Sequence, residues 1–442
     1  MQSYADIAAQ VAAQIRAGRW APGDRLPTHR ALAAEWGVAI ATATRVFTEL
    51  KRLGLVVGEP GRGSFVRDRS IRLVPPEYGP GPDTVYADLS VTQPLSPRRA
   101  ELLRTALRDL AGAGDLDALL RQQPPGGRPA DRGVAAEFLG SRGIDAEADR
   151  VFLTAGVQHG LDLVARAALS PGDVVAVDAL TYPGFKMLAH AHRLHLAPIP
   201  VGPDGPDLDA MEELCLRRRV RAVYTMPTLH NPLGWVLGEQ ARDRLVRIAR
   251  ANDLMLIEDA AYAFLAEPAP APLVSRAPER TYWLSSLSKS VAAGLRFGLL
   301  VTPPSGKATM THTLRVHMAS PPGLVAAVAV GWLADGTMDA LEDAARRSAE
   351  EHQRVLRAEL HDMDLLAHPR SYFAWLPIDP QQRMDRVAAE LSRRGVRICT
   401  AEMFATTPHV RHGLRIAVGS PLAELPAALA AVRDALDAVP LG

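Results

Sequence analysis

The 442-residue sequence has few cysteines and no long apolar run, and both features narrow the class of protein. Its two cysteines, Cys215 and Cys399, lie far apart, which argues against a disulfide framework and predicts two reduced thiols. No apolar stretch reaches the roughly 18 residues that a membrane helix needs. The start of the sequence also lacks the basic-then-apolar pattern of a signal peptide. We therefore expect a globular cytoplasmic protein without a membrane segment.

The charge is nearly balanced over the whole chain, with a net value of +1, but it is unevenly distributed. Residues 1–70 contain ten Lys/Arg and six Asp/Glu, so the rest of the chain is slightly acidic. A small basic unit joined to a larger acidic one points to a polyanion partner at one end. The length predicts two or three domains with a large buried core.

The first 68 residues have the pattern of a small helical unit that ends in a hairpin. Apolar residues recur at helical spacing until Gly18, and Thr28 is placed to cap a second, short helix. A third helix is expected over residues 42–53. The stretch "LVVGEPGRGSFV", residues 55–66, predicts two short strands around a Pro/Gly turn. Together these elements predict a winged helix-turn-helix, a unit that places one helix in the major groove of DNA.

This unit resembles the GntR family of bacterial regulators through the stretches "PGDRLPTHRALA", "TATRVFTEL" and "GEPGRGSFV". The resemblance implies that Arg30, Thr42, Arg45 and Arg62 contact a double-stranded DNA operator. Arg45 follows Thr42 by about one helical turn. Arg62 stands between two glycines at the expected hairpin tip, where it can extend toward a groove or a phosphate.

Beyond the helical unit, the pattern changes to a linker and then to alternating strands and helices. Residues 69–87 are rich in Pro and Gly and predict a short, semi-stiff linker. In residues 88–442, helical segments separate the apolar runs "RVFLTAG", "DVVAVDA", "RAVYTMP", "LMLIEDA" and "TYWLSS". This alternation predicts an α/β fold with a mainly parallel central sheet, whose ligands bind beyond the carboxyl ends of the strands.

The polar residues that follow these strands match what pyridoxal 5′-phosphate requires of a protein. Lys289, in "SSLSKS", offers an amine for a Schiff base, and Asp259 ends an apolar strand, where an acid can keep the pyridine nitrogen protonated. Asn231 and Tyr262 offer hydrogen-bond donors for the phenolic oxygen, and Tyr182 offers an aromatic face for the ring. Each motif alone carries little information, but the ordered series indicates a cofactor site.

Residues 88–442 resemble the class I/II aminotransferases of fold type I. The resemblance implies that Lys289 carries an internal aldimine and that Asp259 pairs with the pyridine nitrogen. It also implies that Asn231 and Tyr262 bind the phenolic oxygen. Arg415, in "GLRIAVG", matches the arginine that grips a substrate carboxylate, for which a planar guanidinium is a natural bidentate partner.

The phosphate of the cofactor is expected at a strand-to-helix loop. In "TAGVQHG", Gly156 lets the backbone approach an anion near a helix N-terminus. Side chains near Lys289 in sequence complete the site. The expected set is Gly156 and the side chains of Ser286, Ser288 and Arg296, together with the backbone of Val157 and Gln158, which the resemblance implies.

Three positions depart from the family patterns. Ala39-Ile40 replaces the usual Ser-Arg at the start of the recognition helix, so two backbone contacts to DNA are missing. Gln122 stands where a tyrosine often reaches the phosphate of the neighbouring subunit. Leu180 replaces a proline that commonly precedes the stacking tyrosine. We therefore expect altered DNA affinity or site preference and an altered intersubunit part of the cofactor site.

A GntR-type unit joined to an aminotransferase-like domain resembles the MocR subfamily of regulators. The resemblance implies a homodimeric transcription regulator in which an amino compound displaces Lys289 by aldimine exchange and changes how the paired DNA-binding units are held. A symmetric dimer suits paired half-sites on DNA. No metal site is expected.

Two alternatives stay open. The protein could be an active aminotransferase whose DNA-binding unit only localises or autoregulates it. It could also be a DNA-binding protein with an inactive cofactor domain, which the presence of Lys289 and Asp259 disfavours.

Overall fold

The computed structural model describes residues 3–20, 24–53, 55–59, 63–66, 87–93, 98–113, 116–407 and 412–439. Arg62 and nearly all of the expected linker lie outside these residues. Ala87, the last residue of that linker, already belongs to a strand.

The N-terminal unit contains three helices and an antiparallel strand pair, as the sequence predicts. Thr28 caps the second helix, because its hydroxyl accepts the amide of Ala31 at 3.2 Å. The third helix begins at Ile40, two residues earlier than expected, and Ala39 provides no side-chain cap. The elements are α1 (Tyr4–Arg16), α2 (His29–Glu35), α3 (Ile40–Arg52), β1 (Val56–Glu59) and β2 (Gly63–Val66).

The larger part of the chain is built around a seven-stranded sheet. Its strands are β4 (Val151–Thr154), β5 (Val174–Asp178), β6 (His195–Ile199), β9 (Val220–Thr225), β10 (Met255–Asp259), β11 (Thr281–Ser286) and β12 (Gly298–Val301). They lie side by side in the order β4-β12-β11-β10-β9-β5-β6. Only β12 runs antiparallel to its neighbours, so the predicted mainly parallel α/β sheet is confirmed.

Smaller strand groups surround the main sheet. The three-stranded sheet has the order β13-β16-β15, β3 pairs in parallel with β14, and β7 pairs with β8. Their bounds are β3 (Ala87–Asp88), β7 (Val201–Gly202), β8 (Gly205–Pro206), β13 (Phe373–Pro377), β14 (Val396–Arg397), β15 (Cys399–Thr400) and β16 (Gly413–Ala417).

Helices cover both faces of the seven-stranded sheet. Side chains alternate along each strand, so that Phe152 packs toward one face and its neighbours Val151 and Leu153 pack toward the other. The helices are α4 (Arg99–Ala113), α5 (Leu116–Leu120), α6 (Pro129–Ser141), α7 (Val157–Ala168), α8 (Pro183–Ala191), α9 (Leu208–Arg217), α10 (Glu239–Ala251), α11 (Leu273–Arg276), α12 (Lys307–Val316), α13 (Gly323–Ala334), α14 (Thr337–Glu359), α15 (Met384–Arg393), α16 (Ala401–Phe404) and α17 (Leu425–Ala438).

The two faces have separate cores. Helices α7, α8 and α12 cover one face, while α6 and α13 share the other with α9 and α10. A further core joins the three-stranded sheet to α15 and α17. The seven-stranded sheet is thus buried on both sides, which leaves the carboxyl ends of its parallel strands as the place for polar side chains.

Among the described residues, no single helix is both long and apolar enough to cross a membrane. The helices 323–334 and 337–359 meet the length and composition requirements only as a pair, across an 80° bend.

Candidate functional site

The parallel strands bring most of the predicted cofactor residues to one edge of the sheet. Gly156 follows β4, Tyr182 follows β5, Asn231 follows β9, Asp259 ends β10, and Lys289 follows β11. Since these strands run in the same direction, their carboxyl ends meet at one edge. Residues up to 133 positions apart in sequence therefore line a single site.

Lys289 lies at this edge with its amine among hydroxyl and carbonyl groups. Its Nζ donates to the carbonyl oxygen of Thr92 at 3.1 Å and to the Thr92 hydroxyl at 2.9 Å. The same hydroxyl lies 2.6 Å from the Tyr262 hydroxyl. The amine is also 5.7 Å from the centre of the Tyr262 ring. Lys289 and Tyr262 are thus linked through Thr92, a residue that no sequence motif indicates.

Asp259 is a buried carboxylate that points into the site from the end of β10. Its Oδ2 accepts the Tyr224 hydroxyl at 2.8 Å, and its Oδ1 accepts the amide of Ala261 at 3.0 Å. Burial raises the pKa of Asp259 to about 6, while the two hydrogen bonds and the nearby Lys289 ammonium act in the opposite direction. Such a carboxylate suits a cationic ring nitrogen, because each stabilises the charged form of the other.

Tyr224 supports Asp259 from the neighbouring strand β9. Its ring stacks on Phe185 with a centroid separation of 3.8 Å, and the residue is fully buried. Burial, together with the adjacent carboxylate, raises the pKa of Tyr224 well above its usual value. The hydroxyl therefore stays protonated and donates to Asp259. In the sequence, Tyr224 looks like an ordinary core aromatic. Its place near the carboxyl end of an apolar strand is the one feature that could have suggested a role in the site.

The N-terminus of α7 forms a cradle that fits a phosphate group. Gly156 has φ +93°, a left-handed conformation that favours glycine, and it precedes the first helical residue, Val157. A Cβ atom at Gly156 would lie 3.4 Å from the guanidinium of Arg296. Helix amides and a cation thus converge on one point, as anion sites require.

Serine and amide side chains border the same cradle. Ser286 and Ser288 are buried where β11 ends. Gln158, the second residue of α7, donates from Nε2 to the carbonyl oxygen of Gly184 at 3.0 Å. Tyr182 is half-buried, and its ring lies directly against the Cα side of Gly184. The structure therefore brings the expected stacking residue beside the expected phosphate site.

Arg415 enters the site from the three-stranded sheet. It is 2% exposed on β16, and its Nη1 donates to Oδ1 of Asn231 at 3.1 Å. Its Nη2 donates to the carbonyl oxygen of Ser90 and to Sγ of Cys399, the latter at 3.4 Å. A buried guanidinium suits a ligand carboxylate. Asn231 uses its amide oxygen for Arg415, which leaves its NH2 group oriented as a donor.

The expected DNA-contacting residues lie on the N-terminal unit. Arg30, on α2, and Arg45, on α3, are exposed, while Thr42 is partly buried. Arg62 lies outside the described residues. Ile40, half of the Ala39-Ile40 departure, is 52% exposed at the start of α3.

The other two departures also have clear positions. Gln122 is exposed in the loop between α5 and α6, and Leu180 is buried, with its backbone paired to that of Ala405.

The sequence did not predict two residues that contact the site, Ser90 and Thr92, which come shortly after β3.

The two parts of the chain match two separate families. Residues 85–432 match the family aminotransferase class I and II. Residues 3–66 match the bacterial regulatory proteins of the gntR family. The chain is 25% identical to the HTH-type transcriptional regulator YjiR of Escherichia coli K12, over 96% of each chain.

The larger part of the chain is also similar to enzymes. The 2-aminoadipate transaminase of Thermus thermophilus is 30% identical over 59% of this chain and 65% of that enzyme. A structure of the kynurenine aminotransferase of Pyrococcus horikoshii, in complex with PMP, matches with a TM-score of 0.75 at 21% identity. That match covers 80% of this chain and 91% of the enzyme. The chain therefore belongs to the class I and II aminotransferase family and has the MocR architecture, in which a GntR-type helix-turn-helix domain precedes a fold-type I aminotransferase domain.

Proposed function

We propose that this protein is a DNA-binding transcription regulator that uses pyridoxal 5′-phosphate to sense a small amino compound. The observation that carries the proposal is the convergence of Lys289, Asp259, Arg296 and Arg415 in a chain that begins with a GntR-type unit. The relatives that match nearly the whole chain include a named transcriptional regulator, YjiR. The proposed domains are residues 1–68 for DNA binding, 69–87 as a linker and 88–442 for cofactor binding.

The proposed cofactor contacts follow from the side chains at the sheet edge. Lys289 holds the cofactor covalently, Asp259 faces the ring nitrogen, and Tyr182 stacks on the ring. Asn231 and Tyr262 donate to the phenolic oxygen. The phosphate lies among Gly156, Val157, Gln158, Ser286, Ser288 and Arg296. The cofactor supplies an aldehyde carbon that accepts an amine and a ring that withdraws electrons.

Arg415 gives the site a preference for amino compounds that carry a carboxylate. The guanidinium is fixed by Asn231 and buried beneath the rings of Phe404 and Phe373, at 5.2 and 5.8 Å. Burial strengthens its attraction for an anion, because little water competes. We therefore propose an amino acid, or a related amino carboxylate, as the ligand.

The N-terminal unit binds a double-stranded DNA operator, in this proposal through Arg30, Thr42, Arg45 and Arg62. Arg30 and Arg45 extend from α2 and α3, two helices that pack together. Their exposure allows contacts with bases or phosphates. A partner of this kind and the lack of a disulfide between Cys215 and Cys399, both of which the structure describes, fit a cytoplasmic location.

The protein is proposed to act as a homodimer. Four large apolar side chains are exposed on helices that adjoin one another, α4, α5 and α13. A group of exposed apolar residues on neighbouring helices is typical of an interaction surface. Its members are Leu107, Leu116, Leu120 and Leu324, of which Leu120 is 84% exposed.

An active aminotransferase with an appended DNA-binding domain is the second candidate. It is favoured because Lys289, Asp259 and Arg415 together provide an amine, a ring counter-charge and a carboxylate anchor. Incubation of the loaded protein with an amino-acid panel and 2-oxoglutarate separates the candidates. The sensor gives no multiple turnover and changes its operator affinity about 5- to 150-fold with an effective amino acid. Repeated turnover without any change in operator affinity would favour the enzyme.

A further inference from the structure

A short, largely buried segment runs from the expected linker directly into the expected cofactor site. It comprises residues 87–93 and begins with β3, which pairs with β14. The amide of Ala87 donates to the carbonyl oxygen of Gly395 at 3.2 Å, and the amide of Leu89 donates to the carbonyl oxygen of Arg397 at 2.8 Å. On the other side, the amide of Ala417 donates to the carbonyl oxygen of Leu89 at 2.7 Å. The segment is thus held by backbone hydrogen bonds on both sides.

The same segment then contacts three of the expected site residues. The carbonyl oxygen of Ser90 accepts the guanidinium of Arg415. Two residues later, Thr92 accepts the Lys289 amine through both its carbonyl oxygen and its hydroxyl, and that hydroxyl also meets Tyr262. Ser90 is fully buried and Thr92 is 2% exposed. Lys289 and Arg415, which are proposed to hold a ligand, are therefore hydrogen-bonded to the segment that leads toward the DNA-binding unit.

We propose that Thr92 is a positioning residue that orients the Lys289 amine, and that segment 87–93 transmits the state of this amine to the linker. The inference rests on the proposed function, because it presumes that Lys289 binds pyridoxal phosphate. It adds the residue that detects the ligand and the path by which the signal leaves the site.

The number of N–H donors that face Thr92 changes when an amine displaces Lys289 from the cofactor. The incoming nitrogen forms the bond to the cofactor carbon that the Lys289 nitrogen gives up. Two protons pass from the incoming ammonium to the lysine nitrogen, which already carried one, so the lysine leaves as an ammonium and the exchange needs no oxidant or reductant. A free lysine ammonium has three N–H donors, whereas a nitrogen attached to the cofactor has fewer. Thr92 therefore faces a stronger donor after the exchange.

The hydroxyl of Thr92 links this change in donors to Tyr262. While Lys289 donates to its oxygen, the hydroxyl proton is available to Tyr262, 2.6 Å away. When the lysine nitrogen is bonded to the cofactor and donates less, the Thr92 oxygen loses that donor, because the single hydroxyl proton of Tyr262 is directed to the phenolic oxygen. Buried hydrogen bonds are costly to leave unmade, so Thr92 and its neighbours adjust to whichever donor is present. Because the segment is packed on both sides, a shift at Thr92 moves Ala87 at the linker end.

Two carbonyl-reactive probes separate release of the lysine from binding at Arg415. Methoxyamine and aminooxyacetate both displace a lysine from pyridoxal phosphate, but only aminooxyacetate carries a carboxylate. The full chain, loaded with cofactor, is treated with each probe until its visible absorbance band has shifted. Hydrogen exchange of the amides of residues 87–89 is then measured by mass spectrometry, and operator affinity is measured on the same samples.

The variants are Thr92→Val, Thr92→Ser and the matched control Thr302→Val. Thr302 is buried and follows the antiparallel strand β12, which places it at the opposite edge of the sheet. Methoxyamine should change the exchange of residues 87–89 in wild type, Thr92→Ser and the control. In Thr92→Val, the probe should change operator affinity by a smaller factor than in wild type. The logarithm of that factor should be about half of its wild-type value, because the carbonyl acceptor of residue 92 remains.

Failure of the inference differs from failure of the proposed function. If operator affinity responds equally in wild type and Thr92→Val, or if the exchange of residues 87–89 does not change, Thr92 does not transmit the signal. If neither probe changes the visible band or the operator affinity of wild type, the sensor proposal itself is wrong. A Thr92→Ser variant that behaves like Thr92→Val would show that only the packing of this side chain matters and would overturn the hydroxyl role.

Discussion

Nη1 of Arg415 donates to Oδ1 of Asn231 across 3.1 Å, and both residues are almost fully buried. This contact joins the three-stranded sheet to the carboxyl end of a strand in the main sheet. The guanidinium is thereby fixed beside the expected cofactor site. Its proposed role as a carboxylate anchor yields a direct prediction.

Arg415→Ala should reduce the preference of the loaded protein for aminooxyacetate over methoxyamine by roughly 10- to 150-fold. The reason is the loss of charge-assisted hydrogen bonds to the ligand carboxylate, worth about 1.5–3 kcal/mol. The measurement is the ratio of the two displacement equilibria, read from visible absorbance. Methoxyamine is the internal control, since it reacts in the same way but lacks the carboxylate. Arg217→Ala, an exposed arginine on α9, should leave the ratio unchanged. An unchanged ratio in Arg415→Ala would place the carboxylate elsewhere.

Tyr224→Phe should shift the pH dependence of cofactor binding toward higher pH. Burial raises the pKa of Asp259 to about 6, and the Tyr224 hydrogen bond opposes that rise. Without the hydroxyl, the pKa of Asp259 rises further. If Asp259 faces the ring nitrogen as proposed, the affinity for pyridoxal phosphate falls as pH falls through this pKa, because the carboxylate becomes protonated. The acid limb of the affinity profile should therefore begin at a higher pH in the variant.

The cofactor titration is followed by protein fluorescence between about pH 5 and pH 8, where such a carboxyl titrates. Tyr282→Phe is the matched control, because this buried tyrosine lies near the amino end of β11, beside Gly306. Its profile should coincide with that of the wild type. An acid limb that does not move in Tyr224→Phe would mean that Asp259 does not govern cofactor binding.

The order of strands along the sequence was enough to predict where most of the candidate residues lie. Asn231, Asp259 and Lys289 each come at or after the end of an apolar strand, and a parallel sheet brings such ends together. Thr92 could not be found in this way. It reaches Lys289 across 197 positions through tertiary hydrogen bonds, and no periodicity marks it. The sequence also did not show that β12 runs antiparallel, because its apolar pattern is the same in either direction.

Arg45→Ala should weaken operator binding by about 1–3 kcal/mol if the side chain reaches a base. Arg45 is exposed on α3, so its removal should leave the packing of the N-terminal unit intact. A gel-shift titration on an operator selected from random duplexes, and on unrelated duplex DNA, measures the effect. A similar loss on both duplexes would assign Arg45 to phosphate. Unchanged binding to both would contradict its place in the DNA-binding surface.

Leu120→Arg combined with Leu324→Arg should shift the protein toward monomer. Both leucines are exposed on adjoining helices, at 84% and 47%, and a buried guanidinium would be costly in an apolar interface. Sedimentation velocity measures the oligomeric state. Leu216→Arg, on α9 at 87% exposure, is the matched control and should leave the dimer intact. A dimer that persists in the double variant would place the interface on another surface.

Reciprocal coupling between operator and amino compound is the most direct test of the sensor. The affinity of the loaded wild-type protein for the amino acid that most shifts its visible band is measured with and without saturating operator. Linkage requires the operator to change that affinity by the same factor by which the amino acid changes operator affinity, about 5- to 150-fold. Unrelated duplex DNA at the same concentration should have a much smaller effect. Equal amino-acid affinities with and without operator would contradict the proposal that this domain senses a ligand for the DNA-binding unit.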